Sequence, residues 1–97
     1  MARESKFQKE LKDELVERFP GCMIIKGNSS DRQGLPDLLL LHESNWAALE
    51  VKRDARAEHQ PNQDHYVEKL NDMSFAAFVH PDNYREVLDE IQTAFGT

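Results

Sequence analysis

Four leucines in a row, Leu38 to Leu41, constrain this chain more than any other feature. The run is too short for a helix and too apolar to leave either side wet. It therefore predicts a strand, from Asp37 to His42, that is covered on both faces. A sheet of that kind needs helices, and the flanking sequence supplies them. Residues 3 to 19 place Phe7, Leu11, Leu15 and Phe19 at every fourth position, with Lys6, Lys9, Lys12, Asp13 and Glu17 elsewhere. This is an amphipathic helix, stopped by Pro20-Gly21. Cys22 to Lys26 reads as a short strand, Gly27 to Pro36 as a loop, Glu43-Ser44-Asn45 as a turn, and Trp46 to Lys52 as a third strand. Three strands in series predict an antiparallel meander.

Pro61 suits the first position of a second helix, which runs to about Asn71 with Tyr66, Val67 and Leu70 inward. Phe75 to His80 reads as a fourth strand. Pro81-Asp82-Asn83 then turns the chain into a last helix striped by Tyr84, Val87, Leu88, Ile91 and Phe95. The predicted class is α/β, order α-β-β-β-α-β-α, a mixed sheet flanked by helices. At 97 residues with no linker, the chain is expected to be a single domain, 1–97.

The formal charge of −6 argues against coating nucleic acid through bulk electrostatics. No apolar run approaches the roughly 18 residues of a membrane span, and Met1-Ala2-Arg3-Glu4 lacks a signal-peptide core. The single Cys22 permits no internal disulfide and no Cys-rich zinc module, which fits a reducing cytoplasm.

Acidic side chains break the apolar strands at chosen places. Asp37 precedes the leucines, and Glu50 and Lys52, two residues apart, share a face with Val51 turned to the other. If the hairpin is centred between Glu43 and Ser44, Asp37 lies directly across from Glu50. Opposed side chains have Cβ atoms about 4.5–5.5 Å apart, so the two carboxylates repel unless a cation lies between them. Hard oxygen donors of this kind suit Mg²⁺ or Mn²⁺. Glu4 extends the apolar stripe of the first helix at its N-terminal end and is a candidate third carboxylate. Taken singly, each has an ordinary explanation: a turn aspartate, a solvated Glu–Lys pair, a first-turn glutamate favoured by the helix dipole. His42, His59, His65 and His80 show no metal spacing and read as surface residues. Trp46 reads as core or interface.

Pro36-Asp37, twelve intervening residues, then Glu50-Val51-Lys52 resembles the PD-(D/E)XK nuclease signature. The fuller strings, Gly34 to Leu41 and Ala48 to Lys52, are similar to the VRR-NUC branch, the virus-type replication-repair nucleases. Glu4-Ser5-Lys6-Phe7-Gln8 looks like that branch's opening helix, and Gln63-Asp64-His65-Tyr66 resembles its Gln/Tyr element. One departure is the stretch Asn71-Asp72-Met73-Ser74, where family members often carry glycine; Asn71 is a candidate to end the helix in the left-handed conformation.

The resemblance implies a restriction-endonuclease-like core and a metal-dependent deoxyribonuclease. Asp37 and Glu50, helped by the Val51 carbonyl and by Glu4, would hold one or two Mg²⁺ or Mn²⁺ ions. Lys52 would orient the attacking water and stabilise charge on the phosphate, and Gln63 would orient Lys52 or a phosphate. Tyr66 is as suited to core as to site. Lys6, Lys26, Arg32, Arg53 and Arg56 would contact DNA. The implied substrate is branched or structured DNA, a Holliday junction among the candidates, and junction resolution implies a homodimer. The setting would be a bacterial or phage-infected cytoplasm, with no membrane partner. The alternative is a catalytically silent nuclease-fold module that binds DNA ends or a replication or repair partner. A small structural or inhibitor protein would leave the hairpin carboxylates unexplained.

Overall fold

The computed structural model describes the backbone of residues 2–27 and 33–97 and the side chains of residues 6–27 and 33–97. Among these, the elements follow the expected order: α1 (Ala2–Arg18), β1 (Met23–Lys26), β2 (Leu38–His42), β3 (Asn45–Val51), α2 (Gln63–Met73), β4 (Phe75–Val79) and α3 (Tyr84–Phe95). The strands form one sheet in the order β1-β2-β3-β4. β1, β2 and β3 are the antiparallel meander, while β4 runs parallel to β3. The parallel pair requires a crossover, and α2 supplies it.

Alternation along β2 and β3 divides the interior into two unequal parts. Leu38, Leu40, Ala47, Leu49 and Val51 point to one face, where they meet Phe7, Leu11, Leu15 and Phe19 and the Val87, Leu88 and Ile91 stripe of α3. Ring contacts lock α1 to α3: Phe7 meets Tyr84 and Phe19 meets Phe95, both edge-on at 5.6 and 5.7 Å. Arg18 adds an ion pair to Asp89 at 2.6 Å. The opposite face holds a smaller cluster of Ala48, Val67 and Ala76, with Leu39, Trp46, Leu70 and Phe78 packed against it. Trp46 is half-buried and packs against this smaller core. Because α2 lies against β3 and β4, it leaves the β1 side of this face open, and Met23 and Ile25 stay 61% and 43% exposed. The leucine run is covered on both faces, as expected, but more thoroughly on the α1 and α3 side.

Some expectations are corrected. His42, read as a surface residue, is buried, with its ring packed against both Phe19 and Phe95. It continues the inward phase of Leu38 and Leu40, so strand periodicity, not polarity, decides its place. The second helix begins at Gln63 rather than Pro61, because Asn62 takes a left-handed backbone with φ 72°. It runs through Asn71, which does not end it; Asn71 Oδ1 instead accepts the Ala76 N–H at 3.1 Å, and Ser74 closes the helix on the Leu70 carbonyl. Tyr66 is half-buried, edge-on to His65, rather than facing the core. Burial pushes the Cys22 thiol up, which leaves it a poor nucleophile near neutral pH. Among the described residues no helix is long and apolar enough to cross a membrane.

The larger cluster should dominate stability. Leu49 sits at its centre with no exposed surface. Leu49→Ala is expected to lose about 2–5 kcal/mol of unfolding free energy, read from urea midpoints.

Candidate active site

The β2–β3 hairpin turns on Glu43 and Ser44: His42 pairs with Asn45, and Leu38 pairs with Leu49. Extending that register by one step places Asp37 opposite Glu50, the arrangement expected from the turn chemistry. Asp37 stands immediately before β2. Its Oδ2 accepts the Val51 N–H at 3.1 Å, and its carbonyl accepts the Gly27 N–H. Gly27 has no room for a side chain, since a Cβ would come within 2.5 Å of the Pro36 carbonyl. Val51 itself sends its side chain into the larger core, so it offers the Asp37 side only main-chain atoms.

Glu50 and Lys52 share the α2 face and are both buried, with side chains 5% and 10% exposed. Their charged atoms stand 3.9 Å apart, too far for a good direct hydrogen bond. Gln63, the first residue of α2, fits between them. Its Nε2 donates to Glu50 Oε2 at 3.0 Å, while its Oε1 accepts from Lys52 Nζ at 2.7 Å. The amide can sit only one way round, because the reverse would set its NH₂ against the ammonium. The sequence placed Gln63 in the first turn of α2; the structure adds that it is buried and joins the two charges.

Residues 53–62 lead from β3 to α2 and form one wall of the site. Glu58 gives its carbonyl to Lys52 Nζ at 3.0 Å, and the Gln60 N–H reaches Gln63 Oε1 at 2.8 Å. The resulting cleft, about 380 Å³, is lined by Asp37, Glu50, Val51 and Lys52 from the sheet, Arg53, Ala57, Glu58 and Gln60 from the wall, and Gln63 from α2. Sequence reasoning missed these two main-chain contributors, because a backbone carbonyl or N–H carries no residue signature.

The predicted cations divide. Arg53 lines the cleft, paired at 3.7 Å with Asp54, and Arg56 is exposed on the same wall. Lys26 ends β1 beside Leu38, one strand from the Asp37 arm. Lys6 is exposed at a separate cleft with Phe7, Glu10, Pro81 and Tyr84. Arg32 and the side chain of Glu4 lie outside the described residues. Among the described residues, no three acidic, histidine or cysteine side chains converge as a metal-binding group. The acidic residues of α3 sit on a helix that packs against the opposite face of the sheet.

No protein-family model matches the sequence, and no curated protein matches it. Solved structures do. One described as "VRR_NUC domain" superposes with a TM-score of 0.69 and 27% identity, over 93% of this chain and 95% of that one. Another, described as "VRR_NUC domain protein", matches with a TM-score of 0.60 over 89% of this chain and 88% of that one. At 16% identity the second bears on fold alone.

A close backbone contact ties the two arms of the site together. Gly34, buried at φ 98°, packs on Pro61 and Asn62, where a Cβ would lie 2.8 Å from their atoms. Gly34→Ala combines left-handed strain with overpacking and should lose about 2–4 kcal/mol in urea titration. It should also shift the Gln63 amide signals in an NMR correlation spectrum, because the start of α2 must retreat.

Proposed function

With the VRR-NUC domain fold as the frame for this cleft, we propose that the protein is a Mg²⁺- or Mn²⁺-dependent deoxyribonuclease of the PD-(D/E)XK type. The observation that carries the reading is the Glu50–Gln63–Lys52 bridge beside Asp37. A buried carboxylate and ammonium are costly to keep, and the smaller core around them would be easier to fill with apolar side chains.

The donor set suits a hard divalent cation. Asp37 and Glu50 bring carboxylate oxygens to an open cleft, and the Val51 main chain lines it. These residues would hold the ion, with Glu4 supplying a further carboxylate from α1. When bound, such an ion lowers the pKa of a water and offsets charge on a phosphate.

The chain's own groups do the rest. Lys52 keeps its ammonium at the cleft wall, held by Gln63 Oε1 and the Glu58 carbonyl, with donor capacity left for an attacking water or a non-bridging phosphate oxygen. Pre-setting that donor removes the reorganisation cost at the moment charge develops. Gln63 fixes Lys52 on one side and Glu50 on the other, so the two cannot collapse into a direct pair that would withdraw both from substrate. Arg53, Arg56 and Lys26, with Arg32 and Lys6, would meet the DNA backbone. Net acidity makes that attraction weak and sensitive to salt. The substrate would be branched or structured DNA, a four-way junction among the candidates. Cutting two strands of a junction calls for two such sites and hence a homodimer, working in a reducing cytoplasm.

The test is cleavage of a labelled panel (junction, flap, nick and free end) with Mn²⁺, alongside sedimentation for mass. Asp37→Asn, Glu50→Gln and Lys52→Met should each lower the rate by about 10²-fold or more while folding normally. Asp37→Asn should also weaken Mn²⁺ binding in calorimetry. Full activity in Glu50→Gln would overturn the assignment. No Mn²⁺ binding by the unaltered protein would favour a silent DNA-binding module.

A further inference from the structure

The wall formed by residues 53–62 holds Lys52 and Gln63 through main-chain atoms, so something must hold the wall. Its hydrogen bonds at Asp54 are local: the Arg56 N–H reaches Asp54 Oδ1, and the Ala57 N–H reaches the Asp54 carbonyl. Neither ties the segment to the rest of the protein, and the Gly34 contact seats only its Pro61–Asn62 end. His59 anchors the middle. Its ring stacks on Phe78 with centroids 3.9 Å apart and planes 15° from parallel, and its Nδ1 lies 2.8 Å from Asp64 Oδ1. His59 sits between Glu58, whose carbonyl takes Lys52 Nζ, and Gln60, whose N–H takes Gln63 Oε1. Phe78 in turn is the β4 residue paired with Glu50. One ring therefore connects both wall contacts to the strand position beside the buried carboxylate.

We propose that His59 is a positioning residue: by stacking on Phe78 it clasps the 53–62 segment over the cleft and so fixes the Lys52 ammonium and the Gln63 amide. The proposal rests on the nuclease reading for its catalytic consequence, but not for its structural one. The stack is the part that matters. Asp64 is 76% exposed, and an ion pair in that setting contributes little. A face-to-face ring contact that covers Phe78 persists whatever the imidazole's charge. The imidazole is accordingly replaceable by another flat ring, which a proton-transfer or metal-binding role would not allow.

His59→Ala, His59→Phe and Asp64→Asn separate these readings. In hydrogen exchange, the Gln60 amide should open about ten-fold faster or more in His59→Ala, whereas His59→Phe and Asp64→Asn should stay within a few-fold of the unaltered protein. Exchange at Leu40 and Leu49 amides reports whether the sheet remains intact. In Mn²⁺-dependent cleavage, His59→Ala should lower kcat about ten-fold or more with KM nearly unchanged, because the positioned groups act on the developing charge, and His59→Phe should restore most of it. Unchanged Gln60 exchange in His59→Ala would overturn the clasp, as would loss in His59→Phe equal to that in His59→Ala. Equal loss in Asp64→Asn would do the same by making the ion pair the anchor. If the unaltered protein cuts no DNA, the exchange results still decide the clasp, and only the nuclease reading falls.

Discussion

Burying a carboxylate and an ammonium two residues apart on one strand is the constraint around which the α2 side of this protein is organised. Neither Glu50 nor Lys52 can remain charged in a dry setting without polar partners. Gln63 gives each of them one, but only if α2 starts directly above them. Where α2 starts is set by the left-handed turn at Asn62 and by the close seat of that turn against Gly34. The connecting wall then brings a carbonyl to Lys52 and an N–H to Gln63. Each piece of backbone in this part of the molecule answers to the same two charges.

Much of this was legible in the sequence because local rules and the global fold agree. The turn at Glu43-Ser44 and the leucine run fix the hairpin register without help from the rest of the chain, and the register alone sets Asp37 opposite Glu50. The α1 and α3 stripes were equally plain, since both helices pack on one face and show simple periodicity. What escaped was whatever depends on distant backbone. The partners of Lys52 include a carbonyl six residues away, and Asn62 adopts its conformation to meet Gly34, twenty-eight positions earlier in the chain. His42 departs from expectation for a different reason: its polarity suggests solvent, while its phase in the strand dictates burial against the Phe19 and Phe95 rings. His59 reads as a surface residue and is exposed, but nothing near it in the sequence announces its stack on Phe78.

The two faces of the sheet carry different duties. The α1 and α3 face is close-packed and apolar and supplies most of the burial, whereas the α2 face gives up part of its core to polar groups. The separation also has an electrostatic side. Glu86, Asp89 and Glu90 lie on α3, which packs on the face of the sheet away from Glu50, and Asp89 is engaged by Arg18. Their charge is thereby kept from adding directly to that of Asp37 and Glu50, where it would oppose an approaching polyanion.

The parallel pairing of β4 with β3 has a consequence for the order in which the chain can assemble. A hairpin such as β2–β3 closes through a tight turn on a timescale of about 1–10 μs. β4 must instead return across residues 52–74, and contacts of that span bear the greater closure entropy. The acidic pair is thus drawn together by the early, local event, whereas the amide that separates glutamate from lysine arrives with the late one. A chain cut short before β4, or still emerging from the ribosome, would hold the hairpin carboxylates but lack the strand on which Gln63 and its wall are seated. Maturity of the cleft is in this way timed by the last quarter of the polypeptide, which begins with β4 at Phe75.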